Sequence, residues 1–200
     1  MGVRHLRKQA TRERVLQAAR DLFDEVGYDD AAIREIARRA GVSVGSVFTT
    51  FGGKADLLGA VMNDRLAGLY AELDRLIPHL RGATADRVRS IMALHYDFET
   101  RHLRLFVSYI SAAYGWAADQ GVTPLGQNVR LIEILIETLK QGVARGEVRA
   151  DADLNACVDC VIAAYMWNYR HARRPGATTQ DLIALMDQQI GVMIDGVRAR

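Results

Sequence analysis

Two cysteines and three prolines in 200 residues are scant, and each scarcity excludes something. Two cysteines cannot build a disulfide-stapled scaffold. Cys157 and Cys160 form a C-x-x-C, but it sits in a helical pattern after an aspartate-rich start, unlike the strand–turn–helix setting of a thiol oxidoreductase. They read as buried, hydrophobe-like thiols of a reducing compartment, with a redox switch as the alternative. Prolines only at 78, 124 and 175, with no long alternating apolar run, leave little room for a sheet. No apolar run spans a bilayer: LIEILIETL is broken by Glu133 and Glu137. The basic start MGVRHLRKQATRER precedes no apolar stretch of secretory-signal length, and Leu6 stands where myristoylation needs Ser or Thr. GxxxxGK[ST], HExxH, GxSxG and GxGxxG are all missing. These absences predict a cytoplasmic protein with no membrane span, no catalytic residues, no metal and no cofactor.

What is present is helical periodicity. Half of the residues are hydrophobic and a quarter charged, an ordinary globular balance. Val15, Ala19, Leu22, Phe23 and Val26 share one face of a helix from about Arg12 to Val26, ended by Gly27. Ile33, Ile36, Ala37 and Ala40 repeat the pattern in a shorter helix, and Gly41-Val42-Ser43 then makes a three-residue break. Helix, short glycine-containing turn and second short helix are the helix-turn-helix arrangement. A long helix should run from Lys54 to about Ile77, followed by helices near 84–100, 103–118, 125–144, 152–171 and 179–198. Thr178 with Asp181 makes an acidic capping box for the last. The fold class is therefore all-α: a three-helix N-terminal helix-turn-helix domain over 1–53 and a C-terminal helical bundle over 54–200, about nine helices in total.

The stretch VGSVFTTF, Val44 to Phe51, consists entirely of poor helix formers. Against alanine it is disfavoured by roughly 4 kcal/mol as a helix. Yet Ser43 is a good N-cap, Gly52-Gly53 is a strong stop, and Val47 and Phe51 stand four apart to face inward. A helix that enters the major groove needs small or polar outward positions, and here Gly45 permits close approach while Ser46, Thr49 and Thr50 offer hydroxyls to phosphates or base edges. Charge agrees: residues 1–20 hold six Lys and Arg against one acidic residue, and residues 1–54 hold ten against seven. Lys54, placed against the dipole at the start of a helix, makes sense beside a phosphate.

TRERVLQAARDLFDEVGYDDAAIREIARRAGVSVGSVFTTFGGKADLL resembles the DNA-binding domain of the TetR/AcrR family of bacterial transcriptional regulators, through AA..LF.E.GY, IA..AGVS.G and F..K at the family's spacing. The resemblance covers about residues 11–58; beyond them only length and helical layout fit. It implies a ligand-responsive regulator, most often a repressor, that binds a palindromic operator on double-stranded DNA as a homodimer and is released by a small, mostly apolar effector. It also implies DNA contacts by Ser43, Val44, Gly45, Ser46, Phe48, Thr49, Thr50 and Lys54. The dimer would form through the last two helices, about 152–171 and 179–198, where Ile183, Met186, Ile190, Met193, Ile194 and Val197 make an apolar stripe. Three residues depart from the family's pattern. Phe48 replaces a tyrosine that commonly reaches a phosphate, Thr50 stands where histidine is frequent, and Ala31-Ala32 replaces a capping threonine, leaving the cap of helix two to Asp30. Weaker or atypical operator affinity is the expectation.

For the effector, the aromatics and histidines of the C-terminal part are the candidate lining: His95, Phe98, His102, Phe106, Tyr109, Tyr114, Trp116, Tyr165, Met166 and Trp167. They equally suit a plain bundle core. His95, Glu99 and His102, at i, i+4 and i+7, would share a helical face and are read as surface residues near a helix end, with a metal site as the alternative. A helical enzyme, or an adaptor that has kept the helix-turn-helix without operator specificity, is the competing function. A specificity ratio on DNA separates the two.

Overall fold

The computed structural model describes residues 2–113 and 129–199. Among them are nine α-helices and one 3-10 turn: α1 Val3–Val26, α2 Ile33–Ala40, α3 Val44–Phe51, α4 Lys54–Leu76, the turn Ile77–His79, α5 Thr84–Thr100, α6 Leu103–Ala113, α7 Val129–Ala144, α8 Leu154–Ala172 and α9 Thr179–Val197. The described residues contain no strand; their sole β-type pairing is an isolated bridge between Val148 and Arg198. None of these helices is long and apolar enough to cross a membrane. The chain divides into two compact units, residues 1–68 with 102–121 and residues 69–101 with 122–200, so α4 begins in the first and ends in the second.

In the first unit, Val15, Leu16, Ala19, Leu22 and Phe23 of α1 bury one stripe with Ile36, Ala37 and Ala40 of α2 and Val47 and Phe51 of α3. Leu57, Leu58, Val61 and Met62 of α4 are buried too. Arg39 fixes α2 on α1 with a forked pair of bonds to Glu25 at 2.7 and 2.8 Å, and its Nε reaches Glu35 at 2.9 Å. Gly41 ends α2 at φ 65°, in the left-handed region where a Cβ costs roughly 1 kcal/mol. The amide of Val42 closes the turn on the Ala37 carbonyl at 3.0 Å. Ser43 then caps α3, accepting from the Ser46 amide at 3.1 Å.

Two expectations are corrected here. α1 starts at Val3, not near Arg12, because its first turns tolerate helix but residues 5–10 are exposed and carry no apolar stripe to announce them. The basic arm is thus the first turns of a helix. Asp30 does not cap α2: the N-cap position is Ala32, without a side-chain bond, and Asp30 lies two residues too early to reach the free amides. The acidic residue in the first turn of α2 is Glu35 instead.

In the second unit, α9 packs along α5 and α8, while α7 lies against both α5 and α8. Its core takes Val88, Ile91, Met92 and Tyr96 from α5, Leu131, Leu135 and Leu139 from α7, Val158, Ile162 and Tyr165 from α8, and Met186 and Ile190 from α9. α5, α8 and α9 begin and end within two residues of expectation, whereas the expected start of the 125–144 helix and the expected end of the 103–118 helix lie outside the described residues. The Thr178–Asp181 box forms, its two backbone bonds 2.8 and 3.2 Å long.

Candidate nucleic-acid interface and buried polar cluster

α3 forms although its residues resist it, and the reason is packing. Val47 is fully buried and Phe51 nearly so. Two such side chains contribute about 1.5–3 kcal/mol each, which offsets the roughly 4 kcal/mol of poor propensity. Arg12 adds a guanidinium 5.0 Å above the Phe51 ring. The rest of the helix is open: Val44 and Phe48, bordering the buried stripe, are 37% and 49% exposed, and Gly45 and Thr49 opposite it, with Ser43 at the cap, are exposed as well. A Cβ at Gly45 would meet nothing nearer than Ser43 Oγ at 3.9 Å, so nothing inside the unit requires glycine there.

The hydroxyls are not as free as the sequence suggests. Thr49 Oγ1 donates to the Gly45 carbonyl at 2.8 Å and Thr50 Oγ1 to that of Ser46 at 2.7 Å, both i−4 back-bonds. Ser43 and Ser46 share a hydrogen bond at 2.9 Å. Both threonines are thereby acceptors toward the outside, a poor match to phosphate. Lys54, the first residue of α4, donates to the Asp29 carbonyl at 3.0 Å and lies 4.6 Å above the Tyr28 ring. An ammonium has three donors, so two remain. Arg7, Lys8, Arg12, Arg14 and Arg34 have no ion pair among the described residues.

The ten candidate pocket residues are drawn from both units. His102, Phe106 and Tyr109 belong to the first unit, and His95, Phe98, Tyr165, Met166 and Trp167 to the second. Tyr114 and Trp116 lie outside the described residues. Trp167 faces solvent, 56% exposed beneath the Arg170 guanidinium at 4.0 Å, because it is two residues from Tyr165 and so about 200° around α8. The reading of His95, Glu99 and His102 as neighbouring surface groups is overturned. α5 ends at Thr100, so His102 is not on the helix that carries the other two, and those two are buried. Among the described residues no three His, Cys, Asp or Glu side chains could hold a metal ion together. The cysteines depart as well: Cys160 is exposed and Cys157 half-buried, both are free, and burial pushes the Cys157 thiol upward, away from a reactive thiolate.

What the second unit does assemble is a buried polar cluster around Glu99. Tyr165 donates to its carboxylate at 2.5 Å, Tyr169 donates to it as well, and His95 Nδ1 lies 3.3 Å away. His95 Nε2 is buried with no hydrogen-bond partner. Beside it Tyr96 donates to the Tyr165 carbonyl at 3.2 Å and accepts from Asn168 at 3.1 Å, and Asn168 exchanges bonds with Gln189 at 2.7 and 3.1 Å. His95 and Glu99 carried an i, i+4 signal in the sequence. Their partners 66 and 70 residues away carried none. A separate apolar recess with room for about one water molecule is lined by Val88, Leu135, Leu139, Cys157, Val158, Val161, Met193 and Ile194.

Residues 15–61, which span α1 to the start of α4, match bacterial regulatory proteins of the tetR family. The chain is 26% identical over 150 residues to the HTH-type transcriptional regulator SrpR of Pseudomonas putida, which covers 75% of this chain and 69% of SrpR. Over 87 residues it is 39% identical to the HTH-type transcriptional regulator BetI of Klebsiella pneumoniae (strain 342), 43% of this chain and less than half, 45%, of BetI. The Thermus thermophilus FadR, a TetR-family transcriptional repressor solved in complex with lauroyl-CoA, has the same fold at TM-score 0.79 and 24% identity, covering 94% of this chain and 96% of that one. The transcriptional regulator FadR of Bacillus subtilis, solved with stearoyl-CoA, gives 0.71 at 16% identity over 92% and 98%. At these identities the solved structures speak for the fold, and the helix-turn-helix residues carry the kinship. Residues 15–61 are thus similar to the N-terminal domain of the tetR family of bacterial regulatory proteins.

Proposed function

We propose that this chain is a cytoplasmic, ligand-responsive transcriptional repressor that binds a palindromic operator as a homodimer and leaves it when a small, mostly apolar effector binds. Residues 1–53 would hold the DNA, and residues 54–200 the effector and the second copy. The observation that carries the reading is α3: a helix kept in place by two buried side chains, with its remaining face open and uncharged, and with cations of the same unit that have no ion pair among the described residues. Val44, Gly45, Ser46 and Thr49 face the groove on this reading, with Lys54 and the Ser43 end of α3 toward phosphates. Gly45, which the unit itself does not need, admits the DNA backbone.

The effector reading draws support from the two acyl-CoA-bound FadR structures, whose fold this chain shares. The Glu99 cluster, with its unpartnered imidazole nitrogen, would be the polar anchor of such a site. For the dimer, Val192 on α9 is 77% exposed and Trp167 on α8 is 56% exposed, apolar side chains that a second copy would cover. An effector can shift DNA affinity only by its differential affinity for the two conformations.

Anisotropy on the duplex upstream of the chain's own gene and on random duplex, over a salt series, tests the regulator. A specificity ratio of about 10³ or more is expected, and a ratio near one would leave an adaptor. Lauroyl-CoA added to the complex is the effector probe, with release expected; unchanged binding across acyl chain lengths would remove that effector class.

A further inference from the structure

α3 has almost nothing with which to read bases by hydrogen bonds. It contains no Asn, Gln, Arg or Lys, the side chains that pair with adenine or guanine edges. Its two threonine donors are spent on backbone carbonyls one turn back, and Ser43 and Ser46 bond each other. What it does present is apolar: Val44 and Phe48, one turn apart, are among the large hydrophobic side chains this protein leaves in water. In the major groove the apolar group on a base edge is the thymine methyl.

The surroundings favour DNA over an apolar protein partner. α3 carries no charge of either sign. Cations stand at both of its ends: Arg12 over Phe51 at the C-terminal end, and Arg14, whose guanidinium lies 3.8 Å from the Cβ position of Gly41, at the turn before the N-terminal end. Neither has an ion pair among the described residues. A polyanion would satisfy them while the apolar pair between them is covered.

We propose that Val44 and Phe48 read thymine methyl groups, so that this protein selects its operator by apolar contact rather than by hydrogen bonds. Phe48 is then not merely a tyrosine that has lost its phosphate bond; its ring takes another task. The inference rests on the DNA-binding reading above.

Selection from a random duplex pool with the full chain supplies the test. The enriched half-sites should contain thymines, and resynthesis with deoxyuridine, which lacks only the methyl, should weaken binding about fourfold for each methyl covered and about 15-fold when each half-site loses one. Phe48→Ala and Val44→Ala should lower affinity for the thymine duplex toward that for the uracil duplex and shrink the difference between them. Both residues are exposed, so folding, followed by circular dichroism, should persist. Equal affinity of the wild-type chain for thymine and uracil duplexes overturns the proposal, as does a uracil penalty that survives both substitutions. A pool with no enriched sequence would instead remove the DNA-binding reading, and the proposal with it.

Discussion

The Tyr165 phenol donates to the Glu99 carboxylate at 2.5 Å, from α8 to α5, with both side chains buried. With Tyr169 as a second donor and His95 3.3 Å away, the carboxylate has the partners that a buried acid needs, and the two helices are tied at a fixed register. A core polar cluster of this kind is poorly tolerant of partial removal, since each member left behind keeps its desolvation cost.

Glu99→Ala should therefore destabilise the protein by about 3–5 kcal/mol, the cost of breaking a buried network from one side. Glu99→Gln keeps an acceptor oxygen for one tyrosine and should cost roughly 1–2 kcal/mol. Urea midpoints at constant m-value check the pair. Equal losses for Ala and Gln would mean that the volume of the side chain matters and its hydrogen bonds do not.

The same cluster predicts an alkaline limit. Burial first, and the neighbouring Glu99 charge second, push Tyr165 and Tyr169 well above the usual value of 10.0, and burial raises Tyr96 as well. A value higher in the folded than in the unfolded chain means that the contribution is intact below about pH 10 and is lost as pH rises beyond it. Of the seven tyrosines, at least these three should stay un-ionised in the native protein at about pH 11 and ionise only together with unfolding. Phenolate absorbance measured alongside circular dichroism reads this directly; full ionisation with the fold intact would refute it.

At acid pH two carboxylates give way. Hydrogen bonds from Arg38, then Arg39, hold Glu35 down to about 2, and those from Arg145, then Thr84, hold Glu147 down to about 2, against a usual value of 4.5. Folded values below the unfolded one place the contribution above about pH 4.5 and its loss between there and about pH 2. Stability should fall across that window. Glu35→Gln and Glu147→Gln should flatten the fall, and the Glu35 part should weaken in high salt because its partners are solvent-exposed. A double variant with an unchanged acid profile would show the fall to come from other groups.

Two glycines should respond oppositely to the same substitution. A Cβ on Gly142 of α7 would fall onto Thr84 Oγ1 and within 2.9 Å of Thr84 Cγ2 and Val148 Cγ2, whereas one on Gly68 of α4 would meet nothing within 4 Å. Gly142→Ala should cost about 1–3 kcal/mol by overpacking, despite the helix propensity it gains. Gly68→Ala should stabilise by about 0.5–1 kcal/mol. Thermal melts of both variants suffice, and a stabilising Gly142→Ala would disprove the close approach of α5 and α7.

The sequence by itself determined the elements. Apolar spacing, glycine stops and caps such as Ser43 and Thr178 are local signals, because helical hydrogen bonds and caps join residues no more than four or so apart; they placed α2, α3, α5, α8 and α9 to within about two residues and turned Val47 and Phe51 inward. The first turns of α1 escaped because an exposed helix end carries no apolar period. Only tertiary structure decided what long-range proximity controls: that Glu99 and His95 are core, that their partners come from α8, that Trp167 points to water, and that His102 sits in the other unit from His95. The spacing of two residues along a chain sets which face of a helix they share. Whether that face meets solvent, a tyrosine 66 residues away or nothing at all depends on which helix packs against it, and no local signal encodes that.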